Sequence, residues 1–173
     1  MIKVLGIKIT DRIKEAGLTQ HVLSKHAGVI TTRFGFHELS TEICAREAYM
    51  ILHLNGNEAG IEYLVKDLSA IGGIETREMD FSGKSKPAGR GSKGSLRILG
   101  MLVEHDHDLV TAVQRLLTTY GCVIRARLGV NEEFFGRPAG LIILELSGDA
   151  AQMDLLEKDI LALKKVHLRK MIF

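Results

Sequence analysis

Residues 48–81, AYMILHLNGNEAGIEYLVKDLSAIGGIETREMDF, align without a gap on residues 140–173, GLIILELSGDAAQMDLLEKDILALKKVHLRKMIF. The offset is 92 positions, and 12 of the 34 residue pairs are identical. Seven of the remaining 22 pairs exchange one large apolar residue for another. Self-similarity at a fixed period is the signature of an internal repeat, so the chain is predicted to contain one structural unit twice.

The similarity continues upstream at an offset of 94, where Arg33-Phe34-Gly35 matches Arg127-Leu128-Gly129. The change from 94 to 92 places a two-residue length difference between Phe36 and Ala48. Because surface loops tolerate length changes, a loop is predicted there in both copies. The predicted domains are therefore repeat 1 at residues 1–81, a linker at 82–94 and repeat 2 at 95–173.

The linker contains Gly, Ser, Pro, Ala and four basic residues, with no acid and no large apolar residue. This composition is typical of a flexible, solvated tether, and a basic tail that contacts nucleic acid is the alternative. The net charge of the whole chain is +2. Without the linker the chain is slightly acidic, so a nucleic-acid partner is not expected. The basic residues are Lys84, Lys86, Arg90 and Lys93.

Each copy shows the element order βαββαβ, in which strand patterns alternate with helical apolar stripes. Gly-Asn or Gly-Asp precedes the second helix of each copy, and an Asp precedes the first, as expected of N-caps. The fold class predicted is α+β, as two tandem ferredoxin-like, ACT-like domains with antiparallel sheets. The strands are predicted at Lys3–Ile9, Val29–Phe36, Tyr49–Leu54 and Ile74–Phe81, and at Leu96–Val103, Cys122–Val130, Leu141–Leu146 and Val166–Phe173.

The first helix of each copy is the less regular of the two. In the second copy the apolar residues recur at helical spacing. Gly17 interrupts the first copy, but a stripe is still predicted there from Leu18, Val22, Leu23 and His26. Gly28 and Gly121 are predicted to end these helices as C-terminal caps.

The apolar residues amount to 46% of the chain, which is enough for a folded core. The two cysteines, Cys44 and Cys122, fall at non-matching positions, so free thiols in a reducing compartment are expected. The start of the chain runs directly into a strand pattern, and no apolar run reaches the roughly 18 residues of a membrane helix. A cytoplasmic protein without a membrane partner is predicted.

The repeated Arg-x-Gly motif is the candidate ligand-binding site. Arg33 and Gly35 in the first copy, and Arg127 and Gly129 in the second, lie late in the second strand. A guanidinium at such a position can hold an anion by two parallel hydrogen bonds, and the glycine permits close backbone approach. The alternative is an exposed Arg that pairs with a neighbouring carboxylate, beside a glycine that bends the strand.

The densest cluster of polar side chains is His105-Asp106-His107-Asp108. Its His-x-His spacing can ligate a metal, but the cluster falls at a strand-to-helix turn, where capping residues are expected anyway. Capping is the favoured interpretation, so no metal is assigned. No phosphate loop, dinucleotide fingerprint or nucleophile motif occurs, and neither a cofactor nor an enzymatic activity is expected.

The segments Ile30–Phe36, Ala48–Leu54, Ala59–Leu68 and Ile74–Arg77 resemble the iron-only hydrogenase system regulators, a family of small single-domain proteins. The likeness covers each repeat and leaves out the linker, and its Arg-x-Gly motif is only moderately specific. It implies a ferredoxin-like fold related to ACT domains and to the C-terminal domain of nickel-responsive repressors. The family often has Pro where this chain has His37 and Asn131, and this chain carries two copies.

These observations predict a non-enzymatic, ACT-like regulatory protein. It would bind a small anionic metabolite through Arg33, Gly35, Arg127 and Gly129, at an interface between domains or chains. Self-association through sheet faces or edges is expected, because the helices cover only one face of each sheet. The alternatives are a metal-responsive sensor that uses His105 and His107, and a protein-interaction scaffold without a ligand.

Overall fold

The computed structural model describes residues 2–36, 46–81, 96–134 and 136–173. The chain divides into two compact units, Met1–Gly83 (unit 1) and Lys84–Phe173 (unit 2). The predicted linker at 82–94 lies outside the described residues, as do His37 and Cys44. Within the described part of the chain, no helix combines the length and apolar character needed to cross a membrane.

Both units follow the βαββαβ order. Unit 1 contains β1 (Lys3–Ile9), α1 (Arg12–Lys25), β2 (Ile30–Phe36), β3 (Ala48–Leu54), α2 (Glu58–Ser69) and β4 (Ile74–Asp80). Unit 2 contains β5 (Arg97–Glu104), α3 (His107–Thr119), β6 (Ile124–Phe134), β7 (Arg137–Leu146), α4 (Ala150–Ala162) and β8 (Val166–Ile172).

The strands form one four-stranded antiparallel sheet in each unit, ordered β2-β3-β1-β4 and β6-β7-β5-β8. The first and third strands of each copy are central, and the second and fourth are the edges. This is the ferredoxin-like arrangement, so the predicted α+β class, with two tandem ferredoxin-like units and antiparallel sheets, is confirmed. The strand ranges match the prediction to within one or two residues, except at the hairpin of unit 2.

Each unit has its own apolar core between its sheet and its two helices. The second helix of each copy contributes the predicted stripe, and Asn57 and Asp149 accept backbone N–H bonds at its start as N-caps. The two cores are built from matching positions, which explains why the repeat is visible in the sequence. Core residues are Leu5, Ile7, Leu52, Leu54, Ile61, Leu64 and Leu68 in unit 1, and Leu99, Met101, Leu144, Leu146, Met153, Leu156 and Ile160 in unit 2.

The inward face of α1 differs from the prediction. Leu18 is 59% exposed, and the buried residues of α1 are Glu15, Thr19 and Leu23. These three lie four residues apart, so they share one helix face, whereas Leu18 is turned away from it. In α3 the positions that match Glu15 and Thr19 are apolar. The weak pattern of α1 therefore reflects polar residues on its buried face.

The predicted C-terminal caps at Gly28 and Gly121 are wrong. α1 ends at Lys25 and α3 at Thr119, and each is followed by a 3-10 turn, Ala27–Val29 or Gly121–Val123. The turns are closed by bonds from the N–H of Val29 to His26 O and from that of Val123 to Tyr120 O. Because these bonds reverse the chain without a left-handed residue, neither helix end requires a glycine at positive φ.

The loop predicted between the second and third strands is also wrong for unit 2. β6 and β7 extend towards each other until Phe134 pairs with Arg137, so that only residues 135 and 136 connect them. Gly136 has a φ of +72°, the left-handed conformation that a tight hairpin needs. The corresponding stretch of unit 1, residues 37–45, lies outside the described residues.

A side-chain bond links the end of the first helix to the second helix in both units. In unit 1 His26 Nε2 lies 2.8 Å and Lys25 Nζ lies 2.7 Å from Asp67 Oδ2. In unit 2 the hydroxyl of Tyr120 donates to Asp159 Oδ2 at 2.6 Å. The bond to His26, followed by that to Lys25, lowers the pKa of Asp67 from 3.8 to about 2.

Asp67→Asn is expected to lower the melting temperature near neutral pH. A carboxyl whose pKa is lowered by folding stabilises the folded state above its ordinary pKa of 3.8, and this gain disappears as the pH falls through about 2. The deficit of the variant should therefore shrink between pH 4 and pH 2. Thermal unfolding at a series of pH values would measure it, and a deficit that stays constant down to pH 2 would contradict the assignment.

Candidate functional site

The Arg of each Arg-x-Gly motif is held by a glutamine on the first helix of its unit. Arg33 on β2 donates from Nη1 to Gln20 Oε1 at 2.8 Å, and Arg127 on β6 donates to Gln114 Oε1 at 2.9 Å. Arg33 pairs with Leu52 across the sheet, and Arg127 pairs with Leu144. Because Leu52 and Leu144 belong to the cores, both arginines lie on the helix-covered face of the sheet.

The partner of each Arg is a neutral amide. Among the residues that the structure describes, no carboxylate oxygen lies within 4.0 Å of Arg33 or Arg127. A guanidinium has five N–H donors, and the bond to the glutamine uses one of them. The positive charge and most of the donors therefore stay available to an anion, while the bond to the glutamine limits the freedom of the Arg side chain.

The glutamines were missed by the sequence reasoning, although a signal was present. Gln20 and Gln114 are 94 residues apart, the same offset that relates Arg33 to Arg127. Most polar positions of the first helix differ between the copies, and Gln is retained. A comparison of exposed positions between the repeats, in addition to core positions, would have paired them.

Gly35 and Gly129 lie within regular strand pairing. Gly35 is opposite Met50 and Gly129 is opposite Ile142, and the register shift in each edge strand falls earlier, at Ile30/Thr32 and Ile124/Ala126. Neither glycine has a positive φ. The alternative in which these glycines bend the strand is therefore not supported by the pairing.

A cleft of about 330 Å³ opens in unit 2 between α3 and strands β5, β6 and β7, and Gln114, the partner of Arg127, is one of its lining residues. Gly129 lines this cleft, and so does Gly140 on the neighbouring strand β7. Its apolar lining includes Val103, Val110, Val113 and Ile142, and its polar lining includes His105, Gln114 and Asn131. We refer to it as the unit 2 cleft.

At the corresponding positions of unit 1, one residue is more polar and another has a larger side chain. Thr19 stands where unit 2 has Val113, and Ala48 stands where it has Gly140. Thr19 is 2% exposed, and its hydroxyl has no hydrogen-bond partner among residues 2–36 and 46–81 or the described residues of unit 2. The two copies thus share the Arg–Gln pair but differ in the surface beside it.

The His105–Asp108 cluster caps α3, as predicted. Asp106 accepts N–H bonds from Asp108 and Leu109, and its carboxylate lies 3.1 Å from Lys165 Nζ. The Leu109 N–H bond, followed by Lys165, lowers the pKa of Asp106. Within the described residues, no group of three or more His, Cys, Asp or Glu side chains is placed to hold a metal ion.

The two units, each a ferredoxin-like domain with an Arg–Gln pair, define an α+β protein with candidate anion sites. No family model matches the chain, and no curated protein matches it.

Three solved structures are similar to this chain, and at these identities and TM-scores the similarity carries no conclusion about ligands or partners. The uncharacterized protein TM1266 from Thermotoga maritima is 22% identical with a TM-score of 0.41, and the alignment covers 47% of this chain and 96% of that one. The acetolactate synthase small subunit from Thermotoga maritima is 12% identical with a TM-score of 0.37, covering 100% of this chain and 95% of that one. An unknown protein from Galdieria sulphuraria is 12% identical with a TM-score of 0.37, covering 99% of this chain and 98% of that one.

Proposed function

We propose that this protein is a non-enzymatic regulatory module that binds a small anionic metabolite. The contacts are Arg33 and Gly35 in unit 1 and Arg127 and Gly129 in unit 2. The observation that carries the proposal is the repeated pairing of each Arg with a neutral glutamine. A guanidinium held by an amide keeps its charge and its fork of donors available, which suits a carboxylate or phosphate ligand.

The bond to the glutamine supports this function in a second way. A long Arg side chain loses conformational freedom when it binds a ligand, and that loss opposes binding. Gln20 and Gln114 impose part of this restriction before the ligand arrives. The adjacent glycines leave the strand backbone accessible. A Cβ added to Gly35 would lie 3.8 Å from Tyr49 O, and one added to Gly129 would meet no atom within 4 Å.

A thermal-shift screen of the full chain against carboxylates, phosphates and amino acids tests this function. A stabilising anion is expected, and Arg33→Ala combined with Arg127→Ala should weaken its binding by about tenfold or more, because hydrogen bonds to charged groups contribute about 1.5–3 kcal/mol. Arg127→Lys keeps the charge but loses the paired donors, so an intermediate loss is expected.

Arg115→Ala is the matched control, because Arg115 lies next to Gln114 on α3 and is exposed. Like Arg127→Ala alone, it removes one positive charge, but it leaves both Arg–Gln pairs intact and should leave binding unchanged. A panel without any stabilising anion would reject the proposed function. If Arg115→Ala weakened anion binding as much as the double variant, the effect would come from the net charge of the protein and not from the Arg–Gln pairs.

Two finer assignments belong to the same proposal. The first is a role in an iron-only hydrogenase system, which rests on the resemblance of the Arg-x-Gly segments and would fail if loss of the protein left hydrogenase activity unchanged. The second is self-association through sheet faces or edges. The edge strand β6 is 11 residues long, and its outer backbone groups offer a pairing surface. A monomer by light scattering at high concentration would reject it.

A further inference from the structure

Two neighbouring glycines line the unit 2 cleft on the helix-covered side of the sheet. Gly129 pairs with Ile142, and Asn131 pairs with Gly140, so all four residues lie on one face. Ile142 packs against the core beneath the helices, which identifies that face. The two glycines are therefore diagonal neighbours on adjacent strands, below α3.

The protein itself does not require glycine at either position. Neither residue has a positive φ, so the backbone would accept a side chain. A Cβ added to Gly129 or to Gly140 would meet no atom within 4 Å. Glycine in a strand weakens it, because glycine loses more conformational freedom on folding and contributes no packing. These two glycines therefore leave a space in the cleft that no side chain of the described residues fills.

The lining indicates what fits this space. The walls include the side chains of Val103, Val110 and Val113, which favour an aliphatic body. The polar side chains at the cleft are those of His105, Gln114 and Asn131, which can bond a polar group of a ligand. A volume of about 330 Å³ suits a small molecule.

The bond from Arg127 fixes the orientation of the Gln114 amide. Because a guanidinium can only donate, the atom of Gln114 that lies 2.9 Å from Arg127 Nη1 is the carbonyl oxygen. The amide NH₂ of Gln114 is then left as a donor at the cleft. Together with the amide of Asn131, it offers hydrogen bonds to an acceptor in the cleft, and the guanidinium of Arg127, bonded to Gln114, adds positive charge next to these donors.

We propose that the unit 2 cleft binds a small carboxylic acid with an aliphatic chain. The chain lies over Gly129 and Gly140 against the valines, and the carboxylate faces Gln114, Asn131 and Arg127. This inference rests on the proposed function for the role of Arg127, and it adds the site and the chemical class of the ligand in unit 2.

Titration of the full chain with hexanoate, followed by methyl NMR of the cleft valines, tests the proposal. Saturable shifts are expected at Val103, Val110 and Val113, with much weaker binding of acetate, which lacks the chain, and of 1-hexanol, which lacks the charge. Gly140→Val should occupy the part of the cleft above Gly140 and raise the Kd for hexanoate by about tenfold or more, since the aliphatic chain of the ligand loses contact surface there. The same variant should raise the melting temperature by a few degrees, because a β-branched residue replaces glycine in a strand.

The matched control is Ala48→Val, which adds bulk at the corresponding position of unit 1 and should leave the Kd unchanged. If Gly140→Val does not change the Kd for hexanoate, the proposal that the ligand binds in the cleft is wrong. A lower melting temperature of Gly140→Val would also overturn it, because it would show that the glycine serves the fold. Absence of saturable shifts with hexanoate would overturn it as well.

The outcome separates this inference from the proposed function. Suppose that the double variant Arg33→Ala with Arg127→Ala weakens binding of an anion and that Gly140→Val does not. The cleft is then not the binding site, and the proposed function stands. If 1-hexanol binds as tightly as hexanoate and Arg127→Ala changes neither, the acid is the wrong class and the role of Arg127 fails with it.

Discussion

Leu156→Ala is expected to destabilise unit 2 by about 3 kcal/mol. Leu156 lies on α4, is fully buried and belongs to the core cluster of unit 2. The substitution removes buried methyl groups and leaves a cavity that a close-packed core closes only in part. Urea unfolding followed by circular dichroism would measure the loss.

The adjacent residue provides the control for this prediction. Leu155 is 43% exposed and lies outside the core cluster, so Leu155→Ala should change the free energy of unfolding by less than about 0.5 kcal/mol. Both variants replace Leu by Ala in α4, so they change the helix propensity equally. A difference between their free energies of unfolding therefore measures the effect of burial. Equal effects of the two variants would contradict the assignment of the α4 inward face.

Gly73→Ala should cost about 2 kcal/mol or more. Gly73 has a φ of +85°, a conformation that costs an ordinary residue roughly 1–2 kcal/mol. In addition, a Cβ there would lie 2.7 Å from Thr10 Oγ1. Thr10 cannot move freely, because its N–H and its hydroxyl both donate to Gly73 O, at 2.9 Å and 3.1 Å.

Gly72→Ala is the control, since Gly72 has no positive φ and a Cβ would meet nothing within 4 Å. It should be nearly neutral in the same urea experiment. Gly73→Ala combined with Thr10→Ala should recover the part of the loss due to the clash. If Gly72→Ala and Gly73→Ala destabilise equally, the turn geometry is not the cause.

Unit 2 shows that the left-handed conformation belongs to the turn and not to glycine. Lys165 occupies the position that matches Gly73, and its φ is +65°. Its Nζ lies 3.1 Å from Asp106 Oδ2, so the two residues form an ion pair at the N-cap of α3. The sequence alone, with Gly in one copy and Lys in the other, offered no reason to expect the same backbone at both positions.

The repeat made most of the fold predictable. The spacing of apolar residues in strands and helices is a local property of the chain. Where this spacing is weak in one copy, the aligned segment of the other copy identifies the element. The N-caps Asn57 and Asp149 could be assigned for the same reason, because a cap acts within one turn of its own helix. The inward face of α1 was wrongly predicted because two of its buried residues, Glu15 and Thr19, are polar. They lie on the same helix face as Leu23, which is the apolar residue buried there.

The candidate site was predictable only in part. The motif Arg33-x-Gly35 is contiguous, so its repetition is visible in the sequence. The partner glutamine lies 13 residues before the Arg on another element, and sequence spacing does not show which helix position faces which strand position.

The sequence by itself determined the duplication, the βαββαβ order and the position of each Arg-x-Gly motif, because these depend on periodicity and on identity between copies. Only the tertiary structure decided that Arg127 bonds to Gln114, and that Gly129 and Gly140 are diagonal neighbours on adjacent strands beneath α3. The physical reason is that antiparallel register and helix packing bring together residues that are distant in the chain. Contacts of that kind leave no local pattern in the sequence.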